Sequence, residues 1–385
     1  MLNGIGNSIS MENIKVGTIA YAAHSGLGIL AKDFYDNEII NKVILCPHST
    51  QGVNSGFYPK ESTIIDLQFN PPGSRPDFLS DKVHMDILEE FFKEIDVLFL
   101  FETIFWRNAW HRLSTMKNRP KIILMPMYES TPFKFNEELN IYPDMLLCPS
   151  KLDYNFYKHH KWHEKGVDIR LINVPVSIPW KQRTKAIHFV HNGGNGSYAD
   201  RNGTALLTKA IPYIKSPIKL TINSQISDHQ ITSTIQQYQA QLKEFHKTTT
   251  TPMEINFNNN KTIDYENLWS TGDVFVFPER FNALSLPLQE ARAAGMYIIA
   301  GNRFPINKWL PLEGLIPVTG YKNVYAADGH VASAQYQPQD LASKIDEIYN
   351  TDITQYSKDG LKYAEKNSWK CLRPKYKEHI QSVLE

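Results

Sequence analysis

Short apolar segments alternate with amphipathic segments along most of the chain. The apolar segments that have the length of one buried strand include IKVGTIAYA, KVILCPH, DVLFLFE and KIILMPMYE. Between them, segments such as VHMDILEEFFKEI place apolar residues at helical spacing. Uninterrupted apolar strands separated by helices are typical of parallel sheets that are buried on both faces. The pattern therefore predicts an α/β fold.

The pattern is interrupted near residue 180 and then starts again. The segment NVPVSIPWKQRTKAIH is rich in proline and polar residues, which is typical of a linker. A second series of strands and helices follows, and 385 residues exceed the usual size of one domain. We therefore predict two Rossmann-like, doubly wound α/β domains that face a cleft, residues 1–180 and 181–360. Terminal helices at 361–385 are expected to pack back toward the first domain.

Composition narrows the function classes only slightly. The net charge of +1 gives no general attraction to nucleic acid. Three cysteines that lie far apart in the sequence predict neither a disulfide scaffold nor a zinc site. No apolar segment has the length of a membrane span, and MLNGIGNSISME lacks the basic start and apolar core of a secretory signal. We expect a soluble cytoplasmic protein without a membrane span.

A glycine-rich turn follows the first predicted strand of each half. The first is HSGLG, and the second contains Gly193 and Gly194, with Arg201 and Asn202 further along. Glycine lets a backbone approach a phosphate closely, the next helix presents unpaired N–H groups, and the two side chains offer contacts to a diphosphate. Neither turn has the G-x-G-x-x-G or Walker spacing. Glycines that only turn the chain are therefore the alternative.

The segment PERFNALSLPLQEARAAG joins the apolar strand DVFVFP to an alanine-rich helix. Glu290 is predicted to stand near the start of that helix. A carboxylate there can accept hydrogen bonds from both hydroxyls of a ribose, while backbone N–H groups bind phosphate. The alternative is a solvated first-turn glutamate that the helix dipole favours.

Residues 186–300 resemble the nucleotide-sugar half of a GT-B glycosyltransferase, most of all the large retaining family that includes sucrose and mannosyl transferases. The family pattern is E-G-F-G-L-P-x-x-E-A-x-A-x-G, and this chain has NALSLPLQEARAAG. The resemblance implies that Glu290 holds the ribose of the donor. Asn282 replaces the first glutamate of the pattern, which is associated with the donor sugar. Glu279, three residues earlier, is a candidate substitute.

Other segments extend the resemblance. HNGGN with DRNGT is similar to the family's diphosphate turn, and KLTINSQ is similar to the strand whose end approaches the nucleotide. The implied donor-binding residues are Gly26, Gly28, Gly193, Gly194, Arg201, Asn202, Asn223, Asn282, Ala283, Leu284, Ser285 and Glu290. The implied reaction is hexosyl or pentosyl transfer from a nucleotide sugar, with a UDP-sugar such as UDP-glucose favoured, to an acceptor hydroxyl with retention. The family works without a metal and the chain has no D-x-D triplet, so neither a metal nor a cofactor is expected.

The first domain is expected to bind the acceptor. Its catalytic candidates are Glu129 after the strand IILMPMYE, Glu102 at the end of the neighbouring strand, and His24 beside the GLG turn. Carboxylates at strand ends that serve only the structure are the alternative. Non-catalytic binding of a small ligand and epimerisation of a nucleotide sugar are the other open function classes.

The segments GLGILAKDF, MPMYE, DRNGT and SLPLQEA also resemble glycosyltransferases found in tailed-phage genomes. This implies a location in the host cytoplasm, and a hydroxymethylated pyrimidine in duplex DNA is then one candidate acceptor. A virion protein and a cell-surface glycan are the alternatives. Contacts to DNA would come from a basic cluster, for which a solvated helix face is the alternative. Its members are Lys151, Lys158, His159, His160, Lys161, Trp162 and Arg170.

Overall fold

The protein is described by a computed structural model. It describes residues 13–46, 54, 56–59, 82–102, 107–129, 141–194, 198–225, 240, 244, 253–259, 265–326 and 329–385. The chain divides into two compact units, unit 1 (Met1–Asn173 with Trp369–Glu385) and unit 2 (Val174–Ser368). Among the described residues, no helix combines the length and the apolar character needed to cross a membrane.

The strands and helices follow in chain order. The strands are β1 (Val16–Tyr21), β2 (Lys42–Cys46), β3 (Val97–Phe101), β4 (Lys121–Met125), β5 (Met145–Cys148), β6 (Asp168–Leu171), β7 (His188–Asn192), β8 (Lys219–Ser224), β9 (Glu254–Asn259), β10 (Val274–Phe277), β11 (Tyr297–Gly301), β12 (Leu315–Ile316), β13 (Gly320–Ala326) and β14 (Gly329–Gln335). The helices are α1 (Gly26–Asp36), α2 (Lys82–Glu94), α3 (Arg107–Thr115), α4 (Lys151–His159), α5 (Thr204–Ala210), α6 (Tyr265–Ser270), α7 (Leu286–Ala293), α8 (Pro338–Ile348), α9 (Thr354–Lys366) and α10 (Trp369–Leu384).

Unit 1 contains a six-stranded sheet in the order β2-β1-β3-β4-β5-β6, and its strands pair in parallel. The residues of β3 are buried on both faces, as expected for a strand in the middle of such a sheet. Helix α10 belongs to this unit. Its Trp369 Nε1 donates to Asp33 Oδ2 at 2.7 Å, and the rings of Trp369 and Tyr376 each lie 4.9 Å from that of Phe34 on α1.

Unit 2 contains a second six-stranded sheet in the order β12-β11-β10-β7-β8-β9, again with parallel pairing. Strands β13 and β14 form a separate antiparallel hairpin. Apolar side chains from both faces of the sheet, such as Leu220, Val276 and Phe275, are fully buried. The prediction of two Rossmann-like, doubly wound α/β domains is confirmed.

Candidate functional site

The order of strands in unit 2 reverses between β7 and β10. Numbered within the unit, the order is 3-2-1-4-5-6, with β7 first and β10 fourth. In such sheets, ligands bind outside the carboxyl ends of the strands at this switch point. The Gly193–Gly194 turn follows β7, and the segment 278–285 follows β10. The two segments that the sequence marks for a donor therefore flank the same point.

Both glycines of the turn after β7 are required by their surroundings. A Cβ atom at Gly193 would lie 2.9 Å from Thr204 Oγ1, and Gly194 has a φ of +65°. Gly193 N donates to Asn223 O at 2.7 Å, and Gln225 N donates to Gly194 O at 2.6 Å. These bonds fix the turn across the carboxyl end of β8. A phosphate could therefore approach this backbone closely.

A buried histidine joins the two sides of the switch point. His191 lies on β7, and burial lowers its pKa, so the ring is neutral near pH 7. Its Nδ1 donates to Val276 O on β10 at 2.7 Å, and its Nε2 accepts from Thr204 Oγ1 at 2.7 Å. The histidine thereby holds the start of α5 beside β10. His191 is one of two histidines on β7, and its place directly after Phe189 and Val190 is the sequence signal for its burial.

The start of α5 differs from the sequence-based expectation. Asp200 Oδ1 accepts from Ala205 N at 2.8 Å, and Asp200 Oδ2 accepts from Leu206 N at 3.2 Å. The guanidinium of Arg280 binds the same carboxylate, with Nη2 at 2.9 Å. The expectation of unpaired N–H groups at this helix start is therefore wrong for these two residues, because an aspartate of the chain already occupies them.

Arg201 and Asn202 have different surroundings. Asn202 Nδ2 donates to Gly193 O at 2.9 Å, so this side chain stabilises the turn. Arg201 is partly exposed, and its guanidinium carbon lies 5.6 Å from the centre of the Phe281 ring. Arg280 N also donates to Arg201 O at 2.8 Å, which ties the loop to the end of β10. Arg201 is therefore the better placed of the two for a diphosphate.

Three asparagines form a ladder across the carboxyl ends of neighbouring strands. Asn258 Nδ2 donates to Asn223 Oδ1 at 3.0 Å, and Asn223 Nδ2 donates to Asn192 Oδ1 at 2.8 Å. The three residues are register partners on β9, β8 and β7. The side chain of Asn223, a predicted donor-binding residue, is thus held from both sides.

The segment after β10 contains a buried ion pair. The side chain of Glu279 is 0% exposed, and Arg303 Nη2 donates to its Oε1. Ser285 Oγ donates to Glu279 Oε2 at 2.9 Å. Burial raises the pKa of Glu279, while the charge of Arg303 opposes this shift. Both carboxylate oxygens of Glu279 are therefore bound inside unit 2. Glu279 does not substitute, as a ligand-binding residue, for the glutamate that Asn282 replaces.

Glu290 lies in the second turn of α7, because the helix begins at Leu286. The residue is 7% exposed. The alternative of a solvated first-turn glutamate is therefore wrong, because this carboxylate is neither in the first turn nor solvated. The preceding residue, Gln289, donates from Nε2 to Leu284 O at 2.7 Å and so anchors the loop that precedes the helix.

The first switch point, in unit 1, lies between β1 and β3. After β1, Ser25 Oγ accepts from Gly28 N at 3.2 Å and caps α1. A Cβ atom at Gly28 would lie 2.1 Å from Ala23 O, whereas one at Gly26 would meet no atom within 4 Å. His24 is exposed, with its ring 5.3 Å from that of Phe57. The predicted glycine turn is thus a tight helix start, and only one of its glycines needs to be glycine.

The two glutamates that the sequence selected in unit 1 follow neighbouring strands. Glu102 follows β3 with a φ of +56° and donates from its backbone N to Met125 O at 2.8 Å. Glu129 follows β4 and is 4% exposed. It lies near Asp153 on α4, which is fully buried. The carboxyl edge of this sheet therefore carries His24, Glu102 and Glu129, whose catalytic roles stay predictions.

Burial raises the pKa of Asp153 well above its usual range, and the charge of Glu129 adds to the shift. Hydrogen bonds from Ser150 Oγ and from Tyr128 N, the latter at 2.7 Å, oppose it. A carboxyl that holds its proton more tightly when folded makes the native state bind more protons than the unfolded state. Stability is then greatest below the usual aspartate pKa and falls as the pH rises toward the folded-state pKa.

Asp153→Asn is expected to flatten the pH dependence of stability, because it removes this proton. The free energy of unfolding, measured in urea from pH 4 to 8, should fall less steeply with pH in the variant than in the wild type. One proton accounts for at most about 1.4 kcal/mol per pH unit. Asp86→Asn, at an exposed position on α2, is the control. Parallel profiles for the wild type and Asp153→Asn would contradict the prediction.

The basic cluster of unit 1 is partly neutralised. Lys161 Nζ lies 3.0 Å from Glu164 Oε1, and Arg170 Nη2 lies 2.6 Å from Asp168 Oδ2. Trp162 is 7% exposed and packs in the core, so it offers no face for base stacking. Duplex DNA, a virion protein and a cell-surface glycan stay predictions as acceptors.

No protein-family model matches the sequence, and a search of curated proteins finds no match. Solved structures are similar over nearly the whole chain. A glycosyltransferase from Rickettsia africae is 15% identical with a TM-score of 0.62, over 97% of this chain and 99% of that one. HepE from Anabaena, solved with UDP and glucose, is 10% identical with a TM-score of 0.66, over 96% and 100%. Sucrose-phosphate synthase from Thermosynechococcus elongatus is 12% identical with a TM-score of 0.63, over 96% and 99%.

At these identities the likeness establishes the fold. It covers both six-stranded parallel sheets and includes at least 99% of the length of each similar protein. The chain therefore has the two-domain fold of the GT-B glycosyltransferases.

Proposed function

We propose that the chain is a glycosyltransferase that moves a sugar from a UDP-sugar to an acceptor hydroxyl with retention of configuration. The observation that carries this proposal is the switch point of unit 2. There the Gly193–Gly194 turn and Arg201 lie on one side, and the segment that leads to Glu290 lies on the other. The likeness to HepE, which was solved with UDP and glucose, supports a UDP-sugar as the donor.

The reaction breaks the bond between the anomeric carbon and the diphosphate oxygen, and forms a bond from that carbon to the acceptor oxygen. Negative charge develops on the diphosphate, and the acceptor hydroxyl gives up its proton to the departing diphosphate oxygen. Arg201 and the backbone of the glycine turn would stabilise this charge, since fixed cations and dipoles are usually the largest contribution to such catalysis. Glu290 would accept hydrogen bonds from the ribose and so orient the donor. We propose that no metal takes part.

Thermal unfolding with a panel of nucleotides tests the donor site. UDP, GDP, ADP and TDP, and their sugar derivatives, are added with EDTA or with Mg²⁺. We expect UDP and a UDP-sugar to raise the unfolding midpoint in both conditions. At a concentration of about 100 times the dissociation constant, the stabilisation is roughly 2.7 kcal/mol. An unchanged midpoint with every nucleotide, with and without Mg²⁺, would overturn the proposal.

The fate of the bound sugar separates the three function classes. A transferase releases UDP and attaches the sugar to an added acceptor, and NMR of the product shows whether the anomeric configuration is retained. A nucleotide-sugar epimerase instead changes the sugar while it stays on UDP, with no acceptor present. A binding protein returns the UDP-sugar unchanged.

A further inference from the structure

The residue before α7 has an unusual backbone conformation. Ser285 has φ +51° and ψ +59°, which is the left-handed region that favours glycine, and its side chain is fully buried. The family pattern has glycine at this place, so the chain has replaced a permissive residue by one that adopts the conformation at a cost in free energy. Such a conformation persists only where surrounding contacts enforce it.

A closed ring of four residues supplies those contacts. Ser285 Oγ donates to Glu279 Oε2, and Ser285 N donates to Asn282 Oδ1, both at 2.9 Å. Arg303 Nη1 donates to Asn282 O at 3.0 Å, and Arg303 Nη2 donates to Glu279 Oε1. We call Glu279, Asn282, Ser285 and Arg303 the loop ring. Tyr336 OH donates to Glu279 O at 2.8 Å and attaches the ring to the residue after β14.

The loop ring fixes the side-chain amide of Asn282. Its Oδ1 is occupied by Ser285 N, so its Nδ2 is the end of the amide that remains for a ligand. The side chains of Phe281, Ala283, Leu284 and Ser285 are buried, whereas Asn282 is partly exposed. Within residues 281–285, Asn282 is therefore the side chain that can reach a molecule at the switch point.

We propose that Asn282 binds the donor through Nδ2, with an oxygen of the sugar diphosphate as the acceptor, and that Glu279, Ser285 and Arg303 are its positioning residues. This inference rests on the proposed function and assigns roles within the same site. A carboxylate at position 282 would accept hydrogen bonds from sugar hydroxyls. The fixed amide of Asn282 instead donates a hydrogen bond. Position 282 therefore favours an oxygen of the nucleotide sugar that accepts one.

Two substitutions at Ser285 separate positioning from stability. Ser285→Ala loses the bond to Glu279 and keeps the unfavourable backbone conformation. Ser285→Gly loses the same bond but relieves the conformation. We expect the unliganded unfolding midpoint to be lower in the alanine variant and largely restored in the glycine variant. The affinity for UDP-glucose, measured by calorimetry, should be about tenfold weaker in both, because both open the loop ring at the bond between Ser285 and Glu279.

Asn282→Asp tests the contact with the ligand. Aspartate keeps an oxygen for Ser285 N, so the unfolding midpoint should stay near that of the wild type. It has no N–H to donate, and its charge opposes a diphosphate, so the affinity for UDP-glucose should fall about tenfold or more. Asn282→Ala, which also opens the loop ring, should lose both stability and affinity.

The wild type is measured first, so that failure of the proposed function can be told apart from failure of the role proposed for Asn282. If the wild type binds neither UDP nor UDP-glucose, the proposed function and this inference are both overturned. If the wild type binds UDP-glucose and Asn282→Asp binds it equally well, the contact at Asn282 is overturned alone. If Ser285→Gly restores affinity together with stability, the positioning role is overturned.

Discussion

Arg183→Met is expected to destabilise unit 2 by about 3–5 kcal/mol, because it leaves several buried carbonyl groups without a donor. Arg183 is 3% exposed. Its Nη2 donates to Trp269 O at 2.6 Å, its Nε to Gly272 O at 2.9 Å, and its Nη1 to Lys181 O at 2.8 Å. A fourth carbonyl, that of Ala294, also accepts from Nη1.

The partners of this guanidinium explain how a cation can be buried there. Trp269 O is in the last turn of α6, and Ala294 O lies at the end of α7, where the helix dipole is negative. Burial lowers the pKa of Arg183 to about 10, so it remains charged near pH 7. The arginine thereby joins the carboxyl ends of two helices, one of which carries Glu290.

Chemical unfolding at pH 7, followed by tryptophan fluorescence, measures the effect. Methionine keeps much of the side-chain volume, so the loss reports on the hydrogen bonds and charge. Arg183→Lys keeps the charge, but its ammonium group presents all its donors from one point and cannot reach four carbonyls. Its free energy of unfolding should therefore lie between those of the wild type and Arg183→Met. A methionine variant whose free energy of unfolding lies within about 1 kcal/mol of the wild type would contradict the prediction. Substitutions at ordinary surface positions already change stability by up to about 0.5 kcal/mol.

Arg183 also shows what a sequence pattern cannot reveal. It lies in NVPVSIPWKQRTKAIH, whose prolines and polar residues predict a linker between domains. The strands that follow were predictable, because each is an apolar run of the expected length. The burial of Arg183 depends on carbonyl groups 86 and 111 residues away along the chain, at Trp269 and Ala294. Local composition contains no information about such partners.

The candidate site shows the same difference between local sequence signals and contacts made by residues that are distant in the sequence. The Gly193–Gly194 turn and Glu290 could be selected from the sequence, because glycine spacing and the L-P-x-x-E-A pattern are local signals. Asp200 and Arg303 could not, because their partners Arg280 and Glu279 lie 80 and 24 residues away. Sequence reasoning also treated Asn202 as a diphosphate ligand, whereas its amide binds the backbone of Gly193. Sequence reasoning therefore selects residues that belong to a motif and misses residues, such as Asp200 and Arg303, whose partners are distant in the sequence.

Glu290→Gln is expected to weaken the binding of UDP by about 10- to 100-fold, because a carboxylate that accepts hydrogen bonds contributes roughly 1.5–3 kcal/mol. Glutamine keeps the volume and the helix propensity of this buried position, so the unliganded unfolding midpoint should change little. Glu365→Gln, an exposed change of the same charge on α9, should leave UDP binding unchanged. Calorimetry gives the dissociation constants.

A comparison of UDP with 2′-deoxy-UDP shows where Glu290 acts. If its carboxylate accepts from both ribose hydroxyls, the wild type should bind UDP more tightly than the deoxy analogue, and Glu290→Gln should lose most of this preference. The two changes then remove the same interaction, so their effects are not additive. If Glu290→Gln weakens both nucleotides equally, the residue acts through the position of α7 and the ribose is held elsewhere.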